Sequence, residues 1–113
     1  MDRRGKVRAM RLLVMFDLPT GSKAERKSYS EFRKFLIDDG FIMDQFSVYT
    51  RVMLGRDSAN AHMQRLKANL PKAGRVTAMM LTEKQYEDRE VLVCTSQYQN
   101  EVADLGAQMT LAF

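Results

Sequence analysis

Met10-Arg11-Leu12-Leu13-Val14-Met15-Phe16-Asp17-Leu18-Pro19-Thr20 is an apolar run that ends in one carboxylate and is stopped at once by proline. A short apolar run closed by a breaker predicts a buried strand. Side chains alternate across a strand, so Met10, Leu12, Val14 and Phe16 share one face, while Arg11, Leu13, Met15 and Asp17 share the other. Both faces are apolar near the middle. A small domain covers one sheet face with its own helices, and apolar residues on the second face call for another layer, most simply a second copy of the chain. Asp17 stands at the strand's mouth on the Leu13 and Met15 side. Two copies related by a two-fold axis through that side would bring two Asp17 carboxylates together. Asp17 also suits the simpler task of opening the turn at Leu18-Pro19-Thr20, and both readings stand at this point.

Around this strand the composition sets bounds. A chain of 113 residues, 45% hydrophobic and 28% charged, has the make-up of one soluble domain with a modest core. We read residues 1–9 as a basic arm and 10–113 as that domain. The net charge of +4 favours polyanionic partners. One cysteine, Cys94, excludes an internal disulfide or a cysteine-rich zinc site and is expected to be a small buried hydrophobe. No segment approaches the roughly 18 consecutive apolar residues of a membrane span, and no signal-type core follows the basic N-terminus, so a cytoplasmic location is expected. Arg3, Arg4, Lys6 and Arg8 make the arm either a phosphate-tracking or a solubilising tail.

Beyond the strand, Ser22-Lys-Ala-Glu25 has capping-box spacing and predicts a helix over about 23–39, with Tyr29, Phe32, Phe35 and Leu36 inward and Gly40 as its stop. Lys23, Arg26, Lys27, Arg33 and Lys34 form its basic side, either a solvated face or a phosphate contact. Residues 41–54 predict two strands, about 41–45 and 47–54, joined near Gln45-Phe46. Asp57 or Ser58 caps a second helix running to about Leu70, with Ala59, Met63, Leu66 and Leu70 on one face. His62, the single histidine, falls off that stripe and is expected at the surface. Arg75–Thr82 predicts a further strand, Thr82-Glu-Lys-Gln85 a short capped turn, Val91–Thr95 a short strand, 96–108 a loop and Met109–Phe113 a terminal strand. The resulting order is an α+β, ferredoxin-like βαββαβ plan: an antiparallel sheet with both helices on one face, plus extra C-terminal strands. Its open face is the Leu13 and Met15 side, and Met109, Leu111 and Phe113 are expected to join it in a dimer. No glycine-rich phosphate loop, zinc spacing, nucleophile with histidine, or paired aromatics of an RNA-recognition sheet is present.

Six spaced stretches, Met15-Phe-Asp-Leu-Pro-Thr20, Glu25-Arg-Lys-Ser-Tyr29, Phe32-Arg-Lys-Phe-Leu36, Gly40-Phe-Ile-Met43, Gln45-Phe-Ser-Val-Tyr-Thr-Arg51 and Thr82-Glu-Lys-Gln85, together resemble CRISPR-associated protein 2, in its type II branch. The resemblance runs from about residue 10 to the C-terminus and is strongest between 11 and 54. It implies a homodimer that joins the integrase CRISPR-associated protein 1 to capture foreign DNA and insert it as spacers. It also implies metal-dependent endonuclease activity on RNA or DNA, with the family's metal-binding aspartate falling on Asp17. Mg²⁺ takes about six oxygen ligands, so one Asp17 is too little and a pair across the dimer axis, with waters and a phosphate, is expected to hold it. Duplex DNA, with RNA as an alternative, is expected to meet Lys23, Arg26, Lys27, Arg33, Lys34 and Arg51. A small-ligand regulatory module on the same fold is the remaining alternative.

Overall fold

A computed structural model describes residues 8–95. Four strands, β1 (Ala9–Asp17), β2 (Ile42–Gln45), β3 (Val48–Leu54) and β4 (Arg75–Thr82), form one sheet in the order β2-β3-β1-β4, with every neighbouring pair antiparallel. Helices α1 (Lys23–Asp38) and α2 (Arg56–Lys67) and the short α3 (Glu83–Glu87) complete the ferredoxin-like α+β plan. The opening strand sits in the sheet interior, paired on both sides, as its apolar content requires. Its alternation is realised in full: Met10, Leu12, Val14 and Phe16 are 3, 0, 0 and 7% exposed. They meet Phe32 and Leu36 of α1, Ala59 and Leu66 of α2, and Tyr49 of β3 in a single core. Phe16 anchors it, edge-on to Phe32 at 5.2 Å and stacked on Tyr49 at 5.7 Å between ring centroids.

Local signals set most of the boundaries. The Ser22 hydroxyl accepts from the Glu25 N–H at 3.1 Å, and the Glu25 carboxylate accepts from the Ser22 N–H at 2.9 Å. At the far end, the N–H groups of Gly40 and Phe41 donate to Ile37 and Leu36, with Gly40 at φ 91°, the left-handed stop that glycine favours. The hairpin between β2 and β3 turns at Phe46–Ser47, where Ser47 takes φ 64° in place of the absent glycine. Thr82 and Gln85 form the second capping box.

Four expectations are corrected. Neither Asp57 nor Ser58 caps α2: the helix opens at Arg56 behind Gly55, with no side-chain cap, because β3 runs straight into it, and Asp57 sits instead in the first turn, where a carboxylate favours the helix dipole. The helix ends at Lys67 rather than near Leu70, since Pro71 disfavours helical backbone at Leu70. Val91–Thr95 forms no strand; it has no strand neighbour among the described residues, and Leu92 and Val93 are 85 and 83% exposed. Cys94, in the same segment, is therefore exposed rather than buried. The arm up to Val7, the loop 96–108 and the expected strand 109–113, with Met109, Leu111 and Phe113, lie outside the described residues.

Candidate metal and nucleic-acid site

Asp17 is the last residue of β1 and is exposed. Its backbone is fixed on one side by β4, where it pairs with Arg75, and on the other by the β2–β3 turn, where the Phe16 N–H donates to the Ser47 carbonyl at 3.0 Å. Met15, Asp17, Phe46, Ser47, Val48, Arg75 and Thr77 surround a hollow of about 300 Å³ at this mouth. Among the described residues the Asp17 carboxylate takes part in no hydrogen bond or ion pair, so its oxygens are available to an incoming cation. Those same residues contain no group of three His, Cys, Asp or Glu side chains able to hold a metal. A hard carboxylate oxygen fits Mg²⁺ in kind, but one carboxylate falls well short of the about six oxygen donors that ion takes.

The sheet face carrying Asp17 is open over much of its area. Leu13 is half-buried, while Met15, Met79 and Val52 are 36, 44 and 46% exposed. One end is closed by a network that is not evident in the sequence. The Arg11 guanidinium donates to both Glu83 carboxylate oxygens at 2.7 and 2.6 Å and to the Thr50 hydroxyl at 2.9 Å. Arg11 and Arg89 each stand over the Tyr86 ring, at 3.9 and 3.8 Å from its centroid, and the Tyr86 hydroxyl donates to Asp44 at 2.6 Å. The Arg11 hydrogen bond holds the Glu83 carboxyl below its ordinary range, and burial, reinforced by the Asp44 carboxylate, pushes the Tyr86 phenol up. The β1 signal for this network was Arg11 itself, a cation placed on an otherwise apolar face. Its partners lie 39 to 75 residues away, beyond the reach of spacing rules.

The nominated cations divide into two groups. Lys23, Arg26, Lys27 and Lys34 are exposed along α1. Arg26 donates to the Thr20 carbonyl at 3.2 Å, while Lys27 and Lys34 pair with Glu31 and Asp38 at 3.9 and 2.7 Å. Exposed pairs of this kind contribute about 0.3–0.5 kcal/mol each, so a phosphate can displace them readily. Arg33 and Arg51 turn toward the protein instead. Arg33 donates to the Tyr49 hydroxyl at 2.8 Å, opposing the upward push of burial on that phenol. Arg51 donates to the Asp39 carbonyl at 2.7 Å, neutralising the negative end of α1. His62 also departs from expectation. Its Nδ1 lies 2.9 Å from the Asp39 carboxylate, and its side chain is only 13% exposed, because that carboxylate at the end of α1 is buried and needs partners from α2; Arg65 is the other.

Comparisons with known proteins agree with this architecture. The family model described as CRISPR associated protein Cas2 matches residues 10–89. A protein of Acidovorax ebreus named CRISPR-associated endoribonuclease Cas2 is 49% identical over 102 residues, covering 90% of this chain and 99% of that protein. Proteins of the same name from Streptococcus mutans and Ligilactobacillus salivarius are 51 and 49% identical over 77 and 84 residues, covering 68 and 74% of this chain and 71 and 83% of theirs. A ferredoxin-like sheet with a free carboxylate at the mouth of its first strand, matched by a family model over most of its length, places this chain in the CRISPR-associated protein Cas2 family.

Proposed function

We propose that this chain acts in CRISPR spacer acquisition as a homodimeric adaptor that bridges copies of the CRISPR-associated protein 1 integrase and seats duplex DNA. The observation that carries the reading is the uncovered apolar sheet face around Met15, Met79 and Val52. Apolar area left in water on this scale favours a second copy, and packing through it leaves the exposed cations of both α1 helices on the outer sides of the pair, open to DNA. Residues 109–113 are the proposed strand through which the pair adds to a twin or to the integrase. Spacer insertion, reconstituted with the integrase and a short duplex, should survive Asp17→Ala. It should fail when residues 109–113 are deleted or when Lys23, Arg26 and Lys27 are replaced together by alanine. Insertion undiminished by both of those changes contradicts the adaptor reading.

A second reading is favoured by the free Asp17 carboxylate and by the printed names of the relatives: hydrolysis of RNA or DNA phosphodiesters with Mg²⁺. Asp17, with its counterpart in a second copy, would hold the ion, which when bound supplies Lewis acidity toward water and phosphate oxygen. The side chains on the open hollow admit a backbone phosphate from solvent rather than enclosing it. A water oxygen bonds to phosphorus, the bond to the leaving sugar oxygen breaks, and that oxygen takes up a proton. Cleavage that needs Mg²⁺, stops with EDTA and is lost in Asp17→Ala is the expected outcome. Equal cleavage by wild type and Asp17→Ala removes this reading.

A further inference from the structure

Asp17 has a neighbour that its own role leaves unexplained. The β1–β4 register sets Asp17 directly opposite Arg75. Residues so opposed carry their side chains on the same face with Cβ atoms about 5 Å apart. Opposite charges at that spacing would ordinarily pair, yet among the described residues neither the Asp17 carboxylate nor the Arg75 guanidinium takes part in a hydrogen bond or ion pair. Both groups border the same hollow of about 300 Å³. The root of Arg75 is firmly placed as well. Gly74 adopts φ +97°, and a Cβ there would stand 2.6 Å from the Asp17 carbonyl oxygen and 2.8 Å from Leu18 Cδ2. The backbone entering β4 therefore rests on the backbone leaving β1.

We infer that Arg75 is a phosphate-binding residue at the Asp17 mouth, its guanidinium receiving a backbone phosphate of a nucleic-acid strand. The inference deepens the phosphodiester reading of Asp17 and rests on it. A phosphodiester approaching a lone carboxylate meets like charge; a cation on the opposed strand offsets that repulsion before any metal is present. The planar guanidinium also matches the paired oxygens of a phosphate, which an ammonium in the same place does not.

The test is binding of a short single-stranded RNA, followed by fluorescence anisotropy in EDTA across a salt series. Arg75→Ala is expected to weaken binding about 3- to 10-fold near 0.1 M salt and to lower the slope of log K against log salt by about 0.7, the release expected for one phosphate of a single strand. Arg75→Lys should keep the slope and regain only part of the affinity. Asp17→Ala should bind at least as tightly as wild type in EDTA, since it removes a like charge. Unchanged affinity and slope in Arg75→Ala overturn the inference, whatever happens to its melting temperature, and leave a purely structural cross-strand neighbour. Failure of the hydrolytic reading shows elsewhere, as Mg²⁺-dependent cleavage that is absent or indifferent to Asp17. A chain that cuts nothing yet loses salt slope in Arg75→Ala keeps the phosphate contact and loses only the hydrolysis.

Discussion

At the scale of single residues, the buried and the exposed carboxylates have opposite fates. The Asp39 side chain is 2% exposed and is held between His62 and Arg65, so removing a partner leaves a charge in a poorly solvating place. His62→Ala should cost about 1–3 kcal/mol, read as a lower urea midpoint with an unchanged slope. Glu83 gives a pH signature. Its folded carboxyl titrates below its ordinary range because Arg11 donates to it, so the stability it contributes is present above the unfolded value and is lost as pH falls through the folded one. Glu83→Gln should therefore be less stable than wild type near neutral pH, and the gap should close as pH falls below the ordinary glutamate range. A gap that stays constant across that range would show that Arg11 gains nothing from the charge. Asp17 is the contrasting case: its exposed carboxylate takes part in no hydrogen bond or ion pair among the described residues, so replacing the side chain tests chemistry with little effect on stability.

At the scale of elements, the ends of α1 and β4 carry the precision of the site. The Ser22–Glu25 capping box fixes where the chain turns from the Asp17 mouth into the basic helix. Ser22→Ala should lower stability by about 1 kcal/mol in a thermal melt. Gly74→Ala faces both a left-handed backbone and a collision with the Asp17 carbonyl, so it should cost about 1–3 kcal/mol and also disturb the mouth itself. These elements were legible in the sequence because their signals are local: a period of two in Met10 to Phe16, a serine three residues before a glutamate, a glycine at a helix end. Arg11 with Glu83, Tyr86 and Asp44, and Asp39 with His62 and Arg65, were not, because each joins residues that only the finished fold brings together. Val91–Thr95 misled for a related reason. Its composition suits a strand, but a strand exists only beside another, and none lies beside it among the described residues.

At the scale of the whole molecule, the sheet has one finished face and one unfinished face. The helices bury the even-numbered side chains of β1 completely, while α3 and the Arg11 network close only one end of the other side. Exposed Met15, Met79, Val52 and Leu54 are the part left over, and Asp17 and Arg75 lie on that same face. Both proposed activities call for a second copy on that face, to cover its apolar side chains and to supply a second Asp17. Sedimentation equilibrium of the whole chain at micromolar concentration tests this most directly. The account predicts a particle of twice the 13.0 kDa chain mass, reverting to one chain when Met15 and Met79 are both replaced by glutamate. A folded particle of one chain mass for the wild type, or a dimer indifferent to those two charges, would contradict it.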